Sequence, residues 1–250
     1  MSLNFYALLM AFAVLIITVI SGIFPFFKRL NNPSGFSFPI GEALANGVFL
    51  GAGLIHMLGD SASDFNSLNI DYPYPFLIAG VTILFFLLME HIGVGASKSN
   101  KTSSSTLAVI ATIMLSIHSF FAGAALGIAT SAALAWVVFF AIIAHKWAAS
   151  FALSLTINKA KLNFNMRVLL FVVFCAMAPV GILFGQVAQS YFTNPLIEPI
   201  FTAIAAGTFI YMGTLHGLER SVLITDCCNT REYTFVIIGF TIMAVVAIWT

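Results

Sequence analysis

Two histidines stand in the middle of apolar runs. His118 lies in Met114-Leu-Ser-Ile-His118-Ser119-Phe-Phe-Ala122-Gly123-Ala-Ala-Leu-Gly127, and His145 in Ala144-His145-Lys146-Trp147-Ala148-Ala149-Ser150. Ionisable groups inside hydrophobic spans are expensive in lipid, so they mark a functional site by default. Neutral imidazole suits zinc and other borderline divalent ions. Taken singly, each histidine could simply hydrogen-bond a carbonyl on a neighbouring helix. At matching depth on consecutive runs, they point to a shared metal or proton site. Met114 precedes His118 by one turn, Ser119 follows it, and Cys175 and Met177 on a later run could add soft ligands. There is no His-x-x-x-His, no Gly-x-Ser-x-Gly and no phosphate loop, so no catalytic residue and no bound cofactor is expected.

The elements that position these residues follow from composition. Of 250 residues, 60% are hydrophobic and only 8% charged, where a soluble domain carries roughly 25% charged residues. The chain therefore reads as an all-α integral membrane protein whose main partner is the lipid bilayer. A net charge of +1 with no basic patch argues against nucleic acid. Cys175, Cys227 and Cys228 do not form a disulfide framework and are expected as free thiols. The first apolar run, without a basic leader and followed by Lys28-Arg29, reads as a retained span rather than a signal peptide.

At roughly 20 apolar residues per crossing, the chain divides into eight spans. They cover about 3–27, 40–59, 73–95, 106–129, 132–157, 166–190, 196–219 and 233–250, within a few residues. Spans four and five are joined only around Thr130-Ser131, so they must be antiparallel neighbours. Nine of the ten lysines and arginines fall after odd-numbered spans, on one side; the tenth, Lys146, is inside span five. Asp64, Asp71 and Glu198 fall in loops on the other side, with Asp60 near the end of span two there. The positive-inside rule then places the basic loops in the cytoplasm and both termini outside. Glycines four apart (Gly47/Gly51, Gly123/Gly127, Gly181/Gly185, Gly213/Gly217) predict close helix packing in a compact bundle, and Pro179 is expected to open span six and free the Cys175 carbonyl. Nothing marks a second domain, so 1–250 reads as one membrane unit, and a homodimer stays open.

Secondary candidates lie along a path. His56 and Asp60, four apart on one helix face, could form an outer vestibule; a capping acid beside an interfacial histidine is the plainer reading. Glu90 and His91 in span three, with His216 and Glu219 in span seven, could receive an ion at the inner side, or could be interfacial groups reaching water. The 26 phenylalanines read as lipid-facing and core mass, not as a binding box.

Across spans two to seven the motifs resemble one family. His118-Ser119-Phe-Phe-Ala-Gly123-Ala-Ala-Leu126-Gly127 looks like the fourth-span signature of the ZIP divalent-metal transporters, and His145-Lys146-Trp147…Phe151-Ala-Leu like the fifth. Gly47-Val-Phe-Leu…His56-Met57-Leu58…Asp60, Pro179-Val-Gly181-Ile-Leu-Phe-Gly185 and Ala206-Gly207-Thr208-Phe209-Ile210-Tyr211 are similar in the same order. The resemblance implies a binuclear metal site between spans four and five, with His118, Ser119 and His145 among its ligands. It also implies elevator-like passage of zinc, iron or manganese towards the cytoplasm at the cell membrane. The chain departs from the family at Ala122 and Ala149, where carboxylates are usual, at Ala178 before the span-six proline, and at His216 in place of an acid. A dication needs numerous or charged ligands, so the central site is expected to hold one divalent ion at most. A transport-silent relative with a structural or metal-sensing role is the competing reading. A zinc-dependent intramembrane hydrolase ranks behind both, since the central spans offer no carboxylate to activate water.

Overall fold

In hydrocarbon every backbone polar group must be satisfied within its own element, so apolar runs of this length become helices. The computed structural model describes residues 3–27, 39–97, 103–129, 131–191, 194–216 and 230–249. Its helices are α1 (Leu3–Phe27), α2 (Pro39–Gly51), α3 (Leu58–Ser67), α4 (Tyr74–Ser97), α5 (Ser103–Ile128), α6 (Ala132–Lys159), α7 (Phe164–Tyr191), α8 (Ile197–Tyr211) and α9 (Thr230–Val246). The chain is an all-α, multi-pass membrane bundle. Seven spans are long and apolar enough to cross a bilayer among the described residues, and α9, at 17 residues, completes the predicted eight.

Span two differs from expectation. It runs on to Ser67 because α2 and α3 are joined end to end by a π turn, Ala52–Met57. Its last turns are polar on one side, which hid them from an apolar ruler. Asp64 is therefore helical rather than in a loop, and Glu198 lies in the first turn of α8. A second π turn, Met212–His216, ends α8. Span six does not break: α7 is continuous through Pro179. Between α5 and α6 the turn is closed by Ser131, whose Oγ accepts from the Leu134 amide at 3.2 Å and caps α6.

The closest helix partners are parallel and distant in sequence. Ala178 and Ile182 of α7 present their carbonyls where Cβ atoms on Gly123 and Gly127 of α5 would sit, and Gly181 and Gly185 return the contact to Phe120 and Ala124. In the same way Gly47 and Gly51 of α2 meet Val236 and Phe240 of α9, and Gly239 meets Leu44. Two further pairs complete the set. Ser150 of α6 donates to the Thr18 carbonyl of α1 at 2.5 Å and Asn158 to Pro25 at 2.7 Å, while Gly207 of α8 lies on Ala79 of α4. Backbones approach this closely only without side chains between them, which is how packing replaces the missing hydrophobic drive in lipid. Helix α4 lies outermost, with Phe76, Leu84, Phe85 and Leu88 exposed to lipid.

Candidate metal centre

His118 comes from α5, where it is 1% exposed, and its orientation is fixed by α8. Its Nδ1 lies 2.8 Å from Thr208 Oγ1 and 3.1 Å from the Ala205 carbonyl, while the Thr208 hydroxyl donates to that same carbonyl at 2.6 Å. Since the threonine proton is already committed and a carbonyl can only accept, Nδ1 must carry the imidazole proton. Nε2 is left as a bare lone pair, buried without a partner. Phe209 stacks on the ring at 3.5 Å between centroids and 14°, fixing its plane. Ala205, Thr208 and Phe209 are spaced i, i+3, i+4, so one face of α8 holds the ring.

His145 of α6 is fully buried, and the Ala141 carbonyl one turn earlier lies within reach of its ring. The two imidazole centroids are 5.6 Å apart at 75°. A buried bare nitrogen such as Nε2 of His118 is unusual, because an unsatisfied buried polar atom costs about 1–3 kcal/mol. His145 lies on the wall of a cavity of about 220 Å³. His56, Asp60, Asp64 and Glu198 line the same cavity, at the end of the bundle opposite Lys159 and Arg167.

The other candidates divide. Ser119 is buried, but its Oγ accepts from Lys146 Nζ at 2.7 Å. Lys146 Nζ also lies 4.4 Å from the Phe174 ring centre. Cys175 is buried in α7, yet among the described residues no three His, Cys, Asp or Glu side chains gather where they could hold one ion. His56 Nδ1 and Asp60 Oδ2 pair at 2.7 Å, as their spacing predicts. At the other end, Glu90 accepts from the Tyr211 hydroxyl and lies 3.1 Å from His216 Nδ1, whereas His91 is exposed. Glu219 lies outside the described residues, as do Cys227 and Cys228.

Sequence reasoning missed Asp64 and Glu198 at the cavity, Thr208 and Phe209 on His118, and Tyr211 on Glu90. The aromatic load is not all bulk: Phe209 is a positioning surface. Of the two alanines where carboxylates are usual, Ala122 lines the cavity, and Ala149 is fully buried in the central core.

The profile of the ZIP Zinc transporter family matches residues 5–102 and 94–247. The chain belongs to the ZIP zinc transporter family. Its relatives bracket this ZIP chain at modest identity. Zinc transporter 1 of Oryza sativa subsp. japonica is 28% identical over 94% of the chain and 81% of its own length, and zinc transporter ZIP2 of Mus musculus is 26% identical over 81% and 82%. Protein zntD of Dictyostelium discoideum is 36% identical over 60% of the chain, a stretch that spans 22% of that protein. The family's description is that of transporters, not enzymes.

Proposed function

We propose that this ZIP chain is a divalent-metal transporter, with zinc as its first substrate, moving ions towards the cytoplasm through the histidine pair between α5 and α6. One observation carries the reading: His118, with a bare buried Nε2, lies 5.6 Å ring to ring from His145, which lines a cavity with Asp60, Asp64 and Glu198. The Nδ1–H of His118 bonded to Ala205 and Thr208 is the outer-shell arrangement that prepares a metal-binding imidazole. His56, Asp60, Asp64 and Glu198 would draw cations in, and the Glu90–His216 pair, together with His91 and Glu219, would take them at the exit. Ser119 and Cys175 would join the centre only by rearrangement, since Lys146 holds the serine. The centre would then hold a single divalent ion. The glycine-welded pairs α5·α7 and α2·α9 suit an elevator-like slide of one bundle against another, in one unit across 1–250. The positive-inside rule supports a cell-membrane protein with both termini outside.

The test is radiozinc uptake into proteoliposomes, comparing wild type with His118→Ala and His145→Ala. Saturable uptake lost in both variants supports the reading. Flat traces for zinc, iron and manganese, with the protein folded and inserted, would favour a transport-silent relative. Lys146, a buried basic group beside alanines where the family has carboxylates, is the feature that speaks for that alternative.

A further inference from the structure

We infer that Phe209 is the inner gate of the path, the side chain that closes the histidine pair off from the cytoplasm, an inference that rests on the transport reading proposed above. Glu198, Thr202, Ala205 and Phe209 are spaced four, three and four apart, so they share one face of α8. The first three line the cavity. Phe209 comes one turn further in, and there the open wall gives way to a fully buried ring. That ring touches both histidines. It stacks on His118 at 3.5 Å and 14°, and meets His145 edge to face at 4.9 Å and 87°. Phe49 backs it at 4.9 Å between centroids, and Met212, three residues further along α8, is buried too. The Glu90–His216 pair and the Tyr211 hydroxyl lie beyond, towards the basic end.

An ion held at the two imidazoles would therefore have water on one side only. Apolar constrictions stop ions by excluding the water they carry. A carrier needs such a stop on one side whenever its site is open to the other. The placement of the ring also says how it opens. Phe209 belongs to α8, whose glycine contact is with α4, whereas His118 belongs to α5, which is packed on α7. His145 is on α6, which runs with α1. Sliding of these pairs past α8 takes the imidazoles off the ring without turning the ring itself. Phe209 thus has two separable tasks: its flat face sets the plane of His118, and its bulk closes the way inward.

The experiment labels one cysteine, Ala122→Cys, with a charged, membrane-impermeant methanethiosulfonate in right-side-out and inside-out vesicles. The full chain carries Cys175→Ala, Cys227→Ser and Cys228→Ser, and Ala122 lines the cavity. With Phe209 in place, labelling should be fast from outside and slow from inside. Phe209→Ala removes the bulk and should raise the inside rate by at least about tenfold, one decade of barrier. Phe209→Leu keeps bulk but loses the flat face. Inside labelling should then stay slow, while the KM for radiozinc uptake rises by about tenfold, the scale of a disturbed metal shell. A ring that only positions His118 would move KM in both variants and inside labelling in neither; that result overturns the inference and leaves transport standing. Fast inside labelling with Phe209 in place overturns it as well, and this arm needs no substitution at 209, so the inference stays refutable if Phe209→Ala does not fold. Flat radiozinc uptake by folded, inserted wild type leaves no path to gate, and both readings fall.

Discussion

A lysine ammonium 2% exposed in the middle of α6 is held there by two contacts, the Ser119 hydroxyl and the face of Phe174. Removing the hydroxyl leaves the charge buried with only the ring. Ser119→Ala should therefore lose about 1–3 kcal/mol, the cost of leaving a buried polar group without its hydrogen bond, read as a lower unfolding temperature in detergent. Lys146→Met removes the charge itself and should be neutral or stabilising. The same reasoning applied to His118 singles out Thr208. Thr208→Val keeps the shape but deletes one of the two acceptors on Nδ1–H, so zinc affinity should fall by about 10–100-fold while insertion is unchanged. An unchanged zinc KM for uptake in that variant would remove Thr208 from the site. Both histidines could be picked out in the sequence because they interrupt apolar runs. Thr208 could not, because a threonine in a membrane helix ordinarily bonds its own preceding turn, and Thr208 does that as well.

Helices obey a simpler rule here than side chains. Where a Cβ on Gly127 would meet the Ile182 carbonyl, nothing can give way except backbone. Gly127→Leu should push α5 from α7 and cost at least about 1–3 kcal/mol, the range for overpacking, seen as poor recovery of folded protein. Gly80 has nothing within 4 Å of its would-be Cβ, so Gly80→Ala should leave stability unchanged or raise it by up to about 1 kcal/mol. The glycine spacing and most span positions were legible in the sequence, since both follow from composition and period. The partners were not: a four-residue repeat says that something packs close, never which helix. The π turns were equally hidden, since Ala52–Met57 carries no residue signature and is held open by what Gly53 meets, Ile210 and the Ala206 carbonyl of α8. A π turn absorbs one extra residue, so deleting Leu54, which is partly lipid-exposed, should restore regular helix and leave α3 in nearly the same orientation relative to α2. Asp60 and Asp64 would then stay on the cavity wall, and uptake should persist with insertion intact.

Across the whole bundle, one ion pair spans two helix pairs at the basic end. Lys159 closes α6, which runs with α1, and its Nζ lies 2.5 Å from Glu42 in the first turn of α2, which runs with α9. If the pairs must part there for an ion to leave, a tether should stop them. Cysteines at 42 and 159, bridged by a bifunctional thiol reagent, should abolish uptake and spare zinc binding; continued uptake in the bridged protein would show that this junction does not open.

The parallel pairing also dictates an order of assembly. Span one finds its partner only when span five has been made, span three waits for span seven, and the glycine face of span two stays uncovered until the last span arrives. Long sequence separation makes such closures slow, and an unpaired glycine face in lipid can find a wrong partner meanwhile. During synthesis α5 and α7 can join early around the histidine site, whereas α2 must be kept unmated for most of the chain's length. Biogenesis of this protein should therefore be most vulnerable at its end: a ribosome that stalls before α9 would release a chain with its metal centre nearly complete and its scaffold still open.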